Sequence, residues 1–234
     1  MEFKKLSAPS LKELFIQELE ASILSGKLQI GEKLPPERDL AKTMQVSRAV
    51  VNNGITELAR KGFLSIKPRV GTFVADYRRD GTMETLISIM NYNGGRLRDA
   101  EVRSILELRI ALDTVAIELM IPRVTDYEVD ILKGYVNEME SEESPEIISE
   151  LAFKVQHELA ILSGNTLLPL IFSSFKSPIM TLWARYCRLY GNKALYQNTL
   201  NLCNCIERRD VEGAIGTIKA TINETIYGNK QIYY

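Results

Sequence analysis

Arg38 and Arg48 flank the short interval between two helix-forming stretches, and their forked guanidinium groups suit phosphate oxygens or the edge of a guanine. Ser47, Arg48, Ala49 and Asn52 fall at or near the entering end of the second stretch. Its opposite face, Val50 or Val51 with Ile55, Leu58 and Ala59, is apolar. A helix with an exposed start and an apolar back is a shape the major groove of DNA admits. Farther on, Lys67, Arg69 and Gly71 sit at the basic tip between two short β-prone runs, FLSIK and GTFVADY. This chemistry grips a polyanion and reads base edges; it makes and breaks no bonds.

The elements that must position these residues have local signals. Ser10 and Glu13 form a capping box for a first helix that ends near Gly26, with Leu14, Ile16, Leu19 and Ile23 toward a core. Pro36 can open a short second helix running to about Thr43, and Ser47 can cap a third that runs to Lys61 and stops at Gly62. The interval between them is as short as a helix-turn-helix requires. The expected fold is mostly α: a winged helix-turn-helix of three helices and a two-stranded wing over 8–75, a linker over 76–81, and an all-α domain over 82–228. Helical segments are expected near 82–93, 98–121, 126–140, 145–163, 167–190, 194–208 and 211–226, about seven in all. Thr125 with Glu128, Ser144 before Pro145, and Gly164 mark boundaries, while Pro178 is expected to break or kink the 167–190 segment.

Composition narrows the classes. The chain has 234 residues and a formal net charge of −1, yet residues 1–75 carry 12 Lys and Arg against 8 Asp and Glu. A basic head joined to an acidic partner domain is the pattern of a nucleic-acid reader with a second, non-reading unit. The first residues lack a secretory leader's apolar core, and no apolar run approaches membrane-spanning length. Cys187, Cys203 and Cys205 are an odd number clustered late, which suits reduced thiols and a cytoplasmic setting. Cys203 and Cys205 point to nearly opposite sides of a helix and make poor joint metal ligands.

The ordered set Pro35 or Pro36, Glu37, Arg38, Leu40, Ala41, Val46, Ser47, Arg48, Gly62, Gly71, Thr72 and Val74 resembles the signature of the GntR family of bacterial transcription regulators. The resemblance implies that Arg38, Ser47, Arg48 and the wing contact DNA. Two positions depart from it: Asn52 stands where the family usually has arginine, and Arg69 where it usually has glycine. Asparagine pairs bidentately with adenine rather than guanine, so a different operator preference is expected, with Arg69 able to enter the adjacent minor groove.

The second half resembles the FadR-type (FCD) effector domain, through RSILELRIALDTVAIELM, in which Arg109 precedes Asp113 by one helical turn, and through the Ser163-Gly164-Asn165 segment. Many members hold a divalent metal through an aspartate, a histidine four residues on, and two later histidines. Counted from the anchors, those positions fall on Ala152, Gln156, Thr199 and Thr221, none of them a retained ligand; His157, the only histidine, is one residue out of register. No metal or other cofactor is therefore expected. The fatty-acid-responsive branch also lacks the set, and METLISIM and KSPIMTLWARYC resemble that branch. An apolar pocket lined by Met180, Trp183, Tyr186 and Tyr190, with Arg109, Arg185 or Arg188 meeting an acidic head group, is the corresponding expectation, with acyl-CoA or another organic acid as effector. A homodimer reading a palindrome follows from the two-fold logic of such operators. The alternatives are a regulator that works without an effector and an enzyme docked by its winged head. The enzyme has little support, since neither a Ser/His/Asp set nor a glycine-rich phosphate loop is in view.

Overall fold

The computed structural model describes residues 9–92 and 99–233, and the chain divides into two compact units, Met1–Gly94 and Gly95–Tyr234. Residues 8, 93 and 98, where expected boundaries fall, lie outside the described residues.

In the first unit, α1 (Leu11–Leu24) opens with the Ser10–Glu13 capping box. It buries Phe15, Ile16, Leu19 and Ile23, whereas Leu14, expected in the core, is exposed. Phe15 is buried instead, because Gly54 in α3 leaves room for its ring; a Cβ on Gly54 would stand 2.3 Å from Phe15 Cδ1. Helices α2 (Glu37–Thr43) and α3 (Arg48–Arg60) are joined through Gln45 in the left-handed region, and Ser47 Oγ caps α3 by accepting from Val50 N at 3.2 Å. Strands β1 (Leu64–Lys67) and β2 (Gly71–Val74) pair antiparallel, Leu64 opposite Val74 and Lys67 opposite Gly71, and an isolated bridge ties Lys33 to Phe73. The wing, the three helices and their turn have the expected order.

Beyond the wing, the segment expected as a linker contains a helical turn, α4 (Tyr77–Asp80). Helix α5 (Met83–Asn91), expected as the start of the second domain, belongs to the first unit. Its Thr85 is buried and donates to the Lys61 carbonyl, and its Ser88 Oγ donates to Glu20 Oε1 at 3.0 Å, where Lys61 Nζ also lies at 2.9 Å.

The second unit consists, among the described residues, of α6 (Asp99–Met120), α7 (Asp126–Glu140), α8 (Pro145–Leu162), α9 (Leu168–Ser174), α10 (Lys176–Tyr190), α11 (Asn192–Glu207) and α12 (Val211–Ile226). Helix α8 packs against α7 and α10, and α12 against α6 and α11. Thr125 with Glu128 and Ser144 with Pro145 start α7 and α8, and Gly164 follows α8 at φ 71. The expected 167–190 segment is two helices, broken at Phe175 rather than at Pro178. Pro178 lies in the first turn of α10, where an N–H would have no helical partner, so the ring costs no hydrogen bond.

Candidate functional site

The entering end of α3 is open to solvent: Ser47, Arg48, Ala49 and Asn52 are exposed, and its first turn carries no acidic residue. The positive end of the helix dipole therefore adds to the Arg48 charge. Val51, Ile55 and Leu58 anchor the other face, each 2% exposed or less. Arg38 is exposed with Nε 3.3 Å from Asp39 Oδ1, and Asn52 Nδ2 donates to Glu37 Oε1 at 3.3 Å. Glu37 holds one amide hydrogen of Asn52 and leaves the other, and Oδ1, for a base edge.

At the wing, Arg69 occupies the left-handed region at φ 62, the conformation that glycine adopts without strain. Gly71 is required by its φ of 138; a Cβ there would also meet Lys33 Cε at 2.6 Å, the far end of a side chain that can swing aside. Lys33 and Lys67 both lie over the Phe73 ring, at 5.9 and 4.8 Å from its centroid. Lys33 is a basic group of the wing that sequence reasoning missed. It precedes the helix-turn-helix, and backbone pairing of its segment with β2, through Leu34 N to the Thr72 carbonyl and Val74 N to the Glu32 carbonyl, brings it beside the strands.

In the second unit, Arg109, Asp113 and Gln156 form one buried network. Arg109 Nη2 lies 3.3 Å from Asp113 Oδ2 and donates to Gln156 Oε1 at 2.8 Å; Gln156 Nε2 donates to Asp113 Oδ1. The Arg109 guanidinium also stands 4.7 Å from the Trp183 ring centroid. Burial raises Asp113 above the usual carboxylate range and lowers Arg109, and their mutual attraction opposes both shifts. Arg109 is 7% exposed, and its Nε–H is buried without an acceptor. It lines a cavity of about 70 Å³ together with Gln156, Trp183, Tyr186, Thr199 and Ile232. The lining is mostly apolar, with Gln156, Asn198 and several threonines among it, and the Arg109 Nε–H is a donor that an acceptor could satisfy.

The four positions at which relatives of the resembled type carry metal ligands, Ala152, Gln156, Thr199 and Thr221, all line this cavity. They do not fit a divalent metal: Ala152 has no donor atom, Gln156 is engaged by Arg109 and Asp113, and Thr199 Oγ1 donates to the Leu195 carbonyl at 2.9 Å. Gln156 does a different job, bridging the cation to the carboxylate. His157 lies outside, its Nε2 3.1 Å from the Pro169 carbonyl oxygen and 2.9 Å from Ser173 Oγ. Cys187, Cys203 and Cys205 are buried, and burial pushes the Cys187 and Cys203 thiols up to about 11, so both stay protonated and unreactive at neutral pH.

Of the seven residues named for an effector, Arg109, Trp183 and Tyr186 line the cavity, while Arg188 is exposed and paired with Glu146. Met180 is half-buried and is not among the lining residues. Arg185 and Tyr190 instead hold the segment after α12: Arg185 Nε donates to the Ile232 carbonyl at 2.8 Å and Tyr190 Oη to the Gln231 carbonyl at 2.6 Å. Sequence reasoning ended the domain at 228 and missed this segment, since its polar residues have no periodicity that marks burial.

Comparison with known proteins finds matches to both parts of the chain. Residues 11–74 match the model described as bacterial regulatory proteins, gntR family, and residues 104–224 match the FCD domain. The chain is 25% identical over 177 residues to HTH-type transcriptional regulator Mce2R of Mycobacterium tuberculosis, covering 76% of this chain and 73% of that protein. It is 28% identical over 169 residues to a fatty acid metabolism regulator protein of Shewanella denitrificans, covering 72% and 67%. Among solved structures, that of Lar, which controls the expression of the Listeria monocytogenes agr system, superposes with a TM-score of 0.64 at 16% identity, over 95% of this chain and 98% of that one. At that identity the likeness shows the fold alone.

Proposed function

Since the chain belongs to the GntR family of transcription regulators, with an FCD domain as its second unit, and is no enzyme, we propose that it reads a palindromic operator as a homodimer under the control of an organic anion held in the chamber. The observation that carries the ligand reading is Arg109, a buried cation whose Nε–H has no acceptor and which faces a cavity. Relatives named for fatty acid metabolism support an acid with an apolar tail, and the apolar walls suit one. Size selects further. A water needs roughly 10–15 Å³ of such volume, so the cavity of about 70 Å³ holds a few atoms, and a long acyl chain needs the chamber to enlarge. For DNA, Arg48 at the open start of α3 is the principal base reader, with Ser47, Ala49 and Asn52 beside it, and Arg38, Lys67, Arg69 and the Gly71 backbone positioned for phosphates and the minor groove. A seam of exposed apolar residues on α6, Leu108, Val115 and Leu119, supports pairing with a second copy. Regulators of this kind act beside the chromosome, which makes the cytoplasm the expected location.

A second reading has its own support. Arg109, Asp113 and Gln156 already satisfy most of one another's hydrogen bonds, which suits a regulator that works without an effector.

The deciding experiment selects a genomic operator with the full chain and follows its binding by fluorescence anisotropy across a salt series, with and without short-chain carboxylates. Specific, salt-dependent binding that Arg48→Ala abolishes, and that a carboxylate shifts, is the expected result. A failure to enrich any fragment sinks the operator reading. Specific binding indifferent to every carboxylate favours the effector-free regulator.

A further inference from the structure

The segment after α12 is built into the chamber wall. Ile232 is 2% exposed and lines the cavity that Arg109 faces. Past Gly228, whose N–H still bonds the Glu224 carbonyl at 3.1 Å, side chains hold it in place. Besides the Arg185 and Tyr190 bonds, Arg185 Nη2 donates to the Tyr233 carbonyl, Tyr233 Oη donates to the Ile226 carbonyl at 3.1 Å, and Asn229 N donates to Glu224 Oε1 at 2.9 Å. A segment fixed by a handful of side-chain contacts opens far more readily than a packed helix, because its release unfolds nothing else.

We propose that residues 228–233 form a strap over the chamber and that Ile232 sets the length of ligand it accepts, with Arg185 and Tyr190 as the positioning residues that seat it. The inference rests on the reading of the chamber as a carboxylate site. With the strap seated, Ile232 occupies space that a longer apolar tail would need. A ligand small enough for the remaining cavity binds beneath it, and a longer one must displace the isoleucine. The strap thereby selects for tail length while Arg109 selects for the charged head.

Thermal shift and calorimetry on the full chain test this with straight-chain carboxylates from acetate to decanoate and with the matching neutral alcohols. The wild type is compared with Ile232→Val and Ile232→Ala, circular dichroism confirming that each is folded. Trimming Ile232 is expected to lengthen the preferred tail, by about two carbons in the alanine variant and less in the valine variant, each added methylene changing relative affinity roughly tenfold or more. A merely structural Ile232 would lower stability without moving that preference. Identical length preference in all three proteins overturns the strap. A length shift among the alcohols with no carboxylate binding upholds the strap and removes the Arg109 head-group reading. If no compound of either series stabilises any of the three proteins, both fall. Should the alanine variant fail to fold, the valine variant, which loses a single methyl, decides alone.

Discussion

Arg109 shows how one side chain can carry a structural and a functional load together. Its partner Asp113 is 1% exposed, so removing the cation leaves a carboxylate buried with only Gln156 for company. Arg109→Ala is expected to destabilise the second unit by about 3–5 kcal/mol in urea titration, the usual cost of orphaning a buried charge. Replacing both partners by apolar groups, Arg109→Met with Asp113→Leu, is expected to recover much of that loss while abolishing any response to carboxylates. The pH dependence separates the two. Burial raises Asp113 above its ordinary 3.8, so the native state binds that proton more tightly than the unfolded chain does. Its contribution is fully present below 3.8 and is lost as pH rises through the folded value. Without Arg109 to oppose the shift, the single variant should gain stability on acidification from neutral pH, and the double variant should not. A single variant that responds to acidification no differently from the double variant would show that solvent reaches Asp113. At the wing, Arg69→Gly relieves a left-handed residue, worth about 1 kcal/mol of stability, yet removes a cation from the tip proposed to face DNA. Higher stability with weaker operator binding and a flatter salt dependence is the expected pair, and anisotropy across a salt series checks it.

Elements were legible wherever their ends are decided by neighbouring residues. Ser10 with Glu13, Ser47, Thr125 with Glu128, Ser144 with Pro145 and Gly164 all mark helix ends as local chemistry dictates. What distant residues decide was not legible. Leu14 and Phe15 are equally apolar, and Gly54 on α3 determines which of them is buried. Likewise α5 has the pattern of any amphipathic helix, and its attachment depends on Glu20 and Lys61, far away in sequence. At the chamber, the positions that converge could be counted from anchors, but Gln156 as a bridge and Ile232 as a wall could not. Gly54→Ala tests the first of these packing decisions. Helix propensity alone favours alanine by about 1 kcal/mol, while overpacking typically costs about 1–3 kcal/mol. The 2.3 Å approach to a buried aromatic ring leaves little space for relaxation, so net destabilisation is expected in denaturant titration. A neutral or stabilising result would mean that Phe15 can move.

At the scale of the whole molecule, the charge asymmetry follows the division into two units, with 14 Lys and Arg against 11 Asp and Glu in the first and 15 against 19 in the second. Where that unit ends has a measurable consequence. If α5 merely led into the second unit, a fragment covering residues 9–81 would be as stable as one covering 9–94. The contacts argue otherwise. Thr85 is 2% exposed and donates to the Lys61 carbonyl, Ile89 and Tyr92 pack against the core of the winged unit, and Ser88 shares Glu20 with Lys61. Fully burying one large apolar side chain is worth roughly 1.5–3 kcal/mol, and the partly buried Ile89 and Tyr92 together amount to about one such burial. The shorter fragment should therefore be less stable by about 2 kcal/mol or more in urea, with a smaller m-value because less surface is exposed on unfolding. Both fragments should keep operator contacts at α3 and the wing, so the shorter one should bind DNA weakly for want of folded molecules and regain affinity at low temperature. Equal midpoints for the two fragments would detach α5 from the reading head and return the boundary to the segment before Thr82.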